Sequence, residues 1–233
     1  SRKYWGQLMF SITNKVTLIT GGTRGIGLGL AKAFSEAGAN VITCGRNRPT
    51  NDFPFDFIEG DVRDTQSAAE IMDEVLARSG SLDILINNAG GGPPTDAANA
   101  SPRFTESIIR LNLLAPLQMS QLAHATLKKT KGTIINIASV SGIRSSPGTM
   151  AYGAAKAGLL NATISLAQEW GPDIRVNAVI AGLIKTEAAS GEKRPKTRQR
   201  ALVYRGEAGQ MRARAECGRV RRRRWREGEG AVS

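Results

Sequence analysis

At 233 residues the chain has the length of one α/β domain, enough to bury a substantial core. Lys and Arg number 32 against 20 Asp and Glu, but residues 191–233 alone hold 14 of the basic and 5 of the acidic side chains. The formal charge of +12 therefore describes that segment, and a nucleic-acid-binding role for the domain does not follow from it. Cys44 and Cys217 are the only cysteines, which excludes a disulfide framework or a cysteine metal site and fits a reducing, cytoplasmic setting. No run approaches the roughly 18 apolar residues that cross a bilayer, so no membrane partner is expected.

Residues 1–8 precede Met9 without periodic pattern and are expected to lie outside the fold as an extension. From Val16 to Val179, short β-rich apolar runs alternate with stretches of helical spacing, the pattern of repeated βαβ units and a parallel sheet. Six strands are predicted: Val16–Thr20, Asn40–Cys44, Phe57–Glu59, Ile84–Asn87, Thr133–Ile137 and Arg175–Val179. Several are unbroken apolar runs, as expected when helices cover both sheet faces. Helices are predicted over Ile26–Ala37, ending at Gly38, and over Thr65–Arg78, starting after the N-cap Asp64. Two longer ones cover Phe104–Lys129 and Thr149–Glu169, the second closed by Gly171-Pro172. Residues 45–56 carry no 3.6-residue period and read as a loop where a crossover helix would stand. Residues 9–190 thus form a single Rossmann-type, doubly wound α/β domain. Residues 191–233 offer only Leu202, Val203, Val220 and Val232 as large aliphatic side chains and are expected to be a disordered basic tail.

Thr20-Gly21-Gly22-Thr23-Arg24-Gly25-Ile26-Gly27 joins a predicted strand to a predicted helix, the setting of a dinucleotide pyrophosphate turn. Gly21 would supply an unusual φ, Gly25 and Gly27 would admit close approach, and free N–H groups at the helix start would meet the anion. The next strand ends Cys44-Gly45-Arg46 without the carboxylate that usually holds an unphosphorylated ribose. Arg24 and Arg46 can instead fork a 2′-phosphate, so NADP(H) is expected in preference to the alternative, NAD(H). Tyr152 and Lys156 stand at i and i+4 near a predicted helix start, so they share one face. An ammonium there would favour the phenolate and lower the tyrosine's usual value near 10. Ser139 follows a predicted strand and brings a hydroxyl to the carboxyl edge of the sheet, where open α/β folds bind ligands.

Together with Asp61-Val62, Asn87-Asn88-Ala89-Gly90 and Asn112, these segments resemble the short-chain dehydrogenase/reductase (SDR) family from about Lys15 to Glu187, in the family's order and spacing. The resemblance implies that Tyr152 is the general acid/base, that Ser139 hydrogen-bonds the substrate oxygen, and that Lys156 lowers the tyrosine pKa and binds the nicotinamide ribose. It implies that Asn112 holds a water connecting the lysine to solvent. On the cofactor it implies Asp61 and Val62 beside the adenine, Asn88, Ala89 and Gly90 beside the adenosine ribose, and Ile184 and Thr186 at the carboxamide. The partner implied is a small carbonyl or alcohol substrate, and a homo-oligomer whose interface includes the family's last strand.

Three departures stand out. The loop at 45–56 alters how the adenine end is covered, and Ala181 replaces a common proline. After Ala189 the family's substrate-covering helix, further helix and seventh strand have no counterpart, and the Arg-, Ala- and Gly-rich segment has the composition of a frameshifted GC-rich reading. The sheet is therefore expected to lack its last strand and helix, leaving an open edge. The expected function is an oxidoreductase exchanging hydride between NADP(H) and a ketone or secondary alcohol. The alternative is a dinucleotide-binding protein with little turnover for want of the substrate lid.

Overall fold

The computed structural model describes residues 11–49, 52–182, 184, 201–207 and 210–214. The extension at 1–8 lies outside the described residues, as does most of the basic tail. All six predicted strands are present: β1 (Val16–Thr20), β2 (Asn40–Gly45), β3 (Asp56–Glu59), β4 (Ile84–Asn87), β5 (Thr133–Ser139) and β6 (Arg175–Ala181). They pair in parallel in the order β3-β2-β1-β4-β5-β6, so the chain reverses its direction of travel across the sheet between β1 and β4. That switch point opens a crevice at the carboxyl ends of the strands, where doubly wound folds bind ligands.

The helices are α1 (Gly25–Glu36), α2 (Thr65–Ser79), α3 (Pro102–Ile109), α4 (Ala115–Thr130) and α5 (Met150–Trp170). Their ends follow local chemistry. The Asp64 side chain accepts from the Ser67 backbone N–H at 2.8 Å to start α2, and Gly80 takes the left-handed conformation that stops it. Ser101 caps α3 in the same way, accepting from Phe104 N–H at 3.2 Å, with Pro102 at the first helical position. The stretch expected as one helix over Phe104–Lys129 is interrupted by a π-turn at Arg110–Leu114. Asn112 lies at its centre, a fully buried side chain whose Nδ2 donates to Ile108 O at 2.9 Å and to Gly91 O at 2.8 Å, and Pro116, four residues on, has no N–H to return to the Asn112 carbonyl. A sequence period reports which face is apolar, not an insertion that bends the axis.

Neighbouring residues of each strand serve opposite faces. Leu18, Ile42, Ile58 and Ile134 pack with α2 and α4 and with the far end of α5. Ile19, Val41, Ile84 and Ile86 face the other way, toward Ala31, Leu30 and Phe34. Among the described residues, α1 is the only helix on this second face, since those described between 45 and 56 form no crossover helix. Toward β6, Val176, Ala178 and Ile180 are buried and Asn177 and Val179 half-buried.

Beyond residue 190 two further strands are described, β7 (Ala201–Glu207) and β8 (Gln210–Arg214), continuing the sheet as an antiparallel hairpin beside β6. Asn177 to Ala181 pair with Arg205 to Ala201, so the β6 edge that was expected to be open carries a partner, while the family's last helix and parallel strand have no counterpart among the described residues. Backbone pairing along an exposed edge needs no apolar face, which is why composition did not signal it. The strand differs from the parallel last strand that the family resemblance implies.

Candidate active site

The turn after β1 has the geometry its glycines suggested. Gly21 and Gly25 have φ of 67° and 55°, in the left-handed region. A Cβ on Gly27 would collide with the Gly21 carbonyl oxygen and lie 2.5 Å from Asn88 Nδ2, so only glycine lets α1 start this close to the sheet. Asn88 fastens the turn from β4, its Nδ2 donating to Thr20 O at 2.9 Å and Gly21 O at 3.1 Å. Thr20 Oγ1 accepts from the backbone N–H groups of Asn88 and Ala89, both at 3.0 Å. The start of α1 is otherwise open: Arg24 caps it without a side-chain hydrogen bond, and the first turn carries no acidic residue. Free N–H groups and an uncompensated helix dipole make this an anion site, which fits a dinucleotide pyrophosphate.

From this turn a cleft of about 1190 Å³ runs along the carboxyl edge of the sheet. Gly21, Thr23, Arg24, Gly25, Ile26 and Gly27 line one part of it, with Arg46, Asp61 and Val62 at the ends of β2 and β3. Asn88, Ala89 and Gly90 line the floor, and Ser139, Tyr152 and Lys156 close the far end. The structure thus gathers nearly all the residues singled out in the sequence around one cavity. Ile184 is described but exposed and does not line the cleft, and Thr186 lies outside the described residues.

The far end is built by close backbone contact. Ser139 ends β5, and the short turn Val140–Gly142 then folds onto α5. A Cβ on Gly142 would lie 2.8 Å from the Lys156 carbonyl carbon, and one on Gly153 would lie 3.0 Å from Ser141 O. These glycines let the serine turn settle on the first turns of α5, so that Ser139 comes within hydrogen-bonding reach of the Tyr152 hydroxyl. Lys156 is 4% exposed, its Nζ donating to Ile137 O at 2.8 Å and standing 5.8 Å from the Tyr152 ring centroid. Gly90 is the gap between Lys156 and Asn112: a Cβ there would lie 3.3 Å from Lys156 Nζ and 2.8 Å from Asn112 Oδ1. Asn112 Oδ1 accepts from Gly91 N–H at 2.8 Å, locking the strand-end loop to the π-turn.

The electrostatics differ from expectation at one point. Burial pushes the Tyr152 phenol above its ordinary value, outweighing the Ser139 hydrogen bond that favours the phenolate. The lysine is not among the groups that offset this, and burial destabilises its own ammonium too, bringing its pKa down to about 8. With these groups alone, the tyrosine is held as a protonated donor.

At the opposite end, sequence reading missed Arg63. Its Nε and Nη2 grip the Asp61 carboxylate at 2.9 and 2.5 Å. The Arg63 hydrogen bond, aided by the charges of Arg63 and Arg46, holds Asp61 below the usual carboxylate range. The i, i+2 spacing across the end of β3 was the available signal. It is weak because side chains two apart on a strand share a face only while the strand stays extended.

Comparison with known proteins agrees with this geometry. The family model for short chain dehydrogenases matches residues 15–197. The chain is 36% identical over 194 residues to a 3alpha-hydroxysteroid dehydrogenase of Mediterraneibacter gnavus, covering 77% of this chain and 78% of that one. It is 34% identical over 193 residues to the 3-oxoacyl-(acyl-carrier-protein) reductase FabG of Chlamydia muridarum, with the same two shares. The ligand-free aldohexose dehydrogenase (AldT) of Thermoplasma acidophilum superposes with a TM-score of 0.74 at 29% identity, over 76% of this chain and 70% of that one. Their names span three kinds of substrate at nearly equal similarity, so the shared region carries the common chemistry and not the choice of substrate. The chain belongs to the short-chain dehydrogenase family, NAD(P)-dependent oxidoreductases acting between CH–OH and C=O.

Proposed function

We propose that the protein exchanges hydride between NADP(H) and a ketone or secondary alcohol, with Tyr152 as general acid/base. The observation that carries this reading is the convergence of Ser139, Tyr152 and Lys156 at one end of a cleft whose other end is an open helix N-terminus. The dinucleotide's contribution when bound is the hydride exchanged with the substrate carbon. Reduction develops negative charge on the carbonyl oxygen, and Ser139 and Tyr152 are two donors set beside one another to meet it. The buried, protonated phenol is the form that reduction requires, and it gives up its proton as the alkoxide forms. Lys156, with a pKa near 8, exchanges protons readily at neutral pH and is the group from which the phenol recovers its own. Asn112 acts by holding the Gly91 backbone and the gap at Gly90 beside the lysine, the place that the family resemblance gives to a water.

Arg24 and Arg46 support a preference for NADP(H), since both are exposed on the cleft with no carboxylate partner among the described residues. Arg46→Ala is expected to weaken NADPH about tenfold while leaving NADH nearly unchanged, as read by calorimetric titration. Equal losses for the two would remove the preference. Beside Tyr152, a second hollow is lined by Phe104, Ile108, Met150 and Pro93, favouring an apolar substituent on the substrate. A panel of aliphatic, steroidal and sugar ketones assayed with NADPH tests the activity. Dinucleotide binding with no oxidation across that panel would instead favour the non-catalytic binding protein.

A further inference from the structure

We infer that Phe53, in the loop that replaces the crossover helix, is a stacking residue for the cofactor's adenine. The inference rests on the dinucleotide reading above, with the adenosine half at the ends of β2 and β3. Phe53, Phe55 and Phe57 recur at every second position leading into β3 and have three different fates. Phe57 is buried in the sheet, 3.6 Å from where a Gly45 Cβ would stand. Phe55 packs on the α1 face of the core. Phe53 belongs to neither and is the ring of the three that lines the cleft, in company with Arg46, Asp61 and Val62.

Its neighbours fix it there. The Phe53 centroid lies 5.5 Å from that of Phe55 and 6.4 Å from that of Phe57, with interplanar angles of 79° and 86°. Both are favourable edge-to-face pairs, and a ring held in this way has little rotational freedom left to lose on binding. The cluster is anchored to the end of β2 by Gly60 N–H donating to Gly45 O at 2.9 Å, and Arg48 stands 5.8 Å from the Phe57 centroid. The cleft therefore offers an aromatic ring, the aliphatic Val62 and cations at Arg46 and Arg48, while the Asp61 carboxylate is already held by Arg63. A purine with a nearby phosphate matches that set: π-face to ring, phosphate to guanidinium.

Titration of the full chain with NADPH, NADH and 2′,5′-ADP, for wild type, Phe53→Ala and Phe53→Trp, tests this. Phe53→Ala should weaken all three by roughly the same factor, about tenfold, and Phe53→Trp should restore wild-type affinity. With reduced nicotinamide mononucleotide, which lacks the adenosine half, kcat/KM should not change. Unaltered NADPH affinity in Phe53→Ala would overturn the inference. So would an equal loss with the mononucleotide, which would mean that the loop and not the stack had been damaged. The same titrations in a Tyr152→Phe background should give the same ratio, so failure of the catalytic assignment leaves this test readable.

Discussion

The two ends of the cleft are built on different principles. At the catalytic end, Ser139, Tyr152 and Lys156 project from the end of β5 and the first turns of α5, and buried Asn112 is clamped by three hydrogen bonds. At the adenine end, Arg24, Arg46 and Arg48 are exposed on loops, and the ordered contacts are an Asp61–Arg63 pair and three phenylalanines. Changes at the catalytic end should act on the chemical step or on the fold. Changes at the adenine end should act on affinity in modest, graded amounts.

The largest expected effect is Tyr152→Phe. Removing a positioned acid should cost roughly 10² to 10⁴ in kcat while NADPH binding stays within twofold. Wild-type turnover in that variant would erase the distinction between the two ends. Next is Gly27→Ala, where the added methyl meets the Gly21 carbonyl and the Asn88 amide. Overpacking there should destabilise the fold by about 1–3 kcal/mol in denaturant titration and abolish tight NADPH binding.

Lys156 gives a pH signature. Its pKa falls from 10.5 in an unperturbed lysine to about 8 in the fold, so between these values the unfolded chain binds more protons than the folded one. Stability contributed by this group therefore rises with pH from about 8 toward 10, and below 8 the buried ammonium carries its full cost. Lys156→Met should remove that rise when denaturation midpoints are compared at pH 7, 8.5 and 9.5. A rise of equal size in the variant would assign it to other groups. The smallest expected effect lies outside the cleft. Asp64→Ala removes the cap of α2 and should cost about 1 kcal/mol with no change in kcat.

The catalytic end was legible because each of its residues is tied to a sequence interval. Tyr152 and Lys156 share a helix face by their spacing of four, and the glycines at 21, 25 and 27 are required by φ or by close approach. The adenine end was less so. Arg63 and Phe53 fall where the chain leaves regular structure, so their two-residue spacing from Asp61 and Phe55 does not fix which side chains meet. Ile184, assigned to the cofactor by resemblance alone, is exposed and is not among the residues that line the cleft.

By itself the sequence determined the alternation of six strands with helices, the glycine turn after β1, and the placing of Tyr152 and Lys156 on one helix face, since each follows from local conformational preference or from periodic spacing. Tertiary structure alone decided that the Phe104–Lys129 stretch breaks at Asn112, that the edge of β6 is paired, and that burial holds Tyr152 protonated. The physical reason is common to all three. They depend on which polar groups meet across long separations, and on how much water remains around them once they have met.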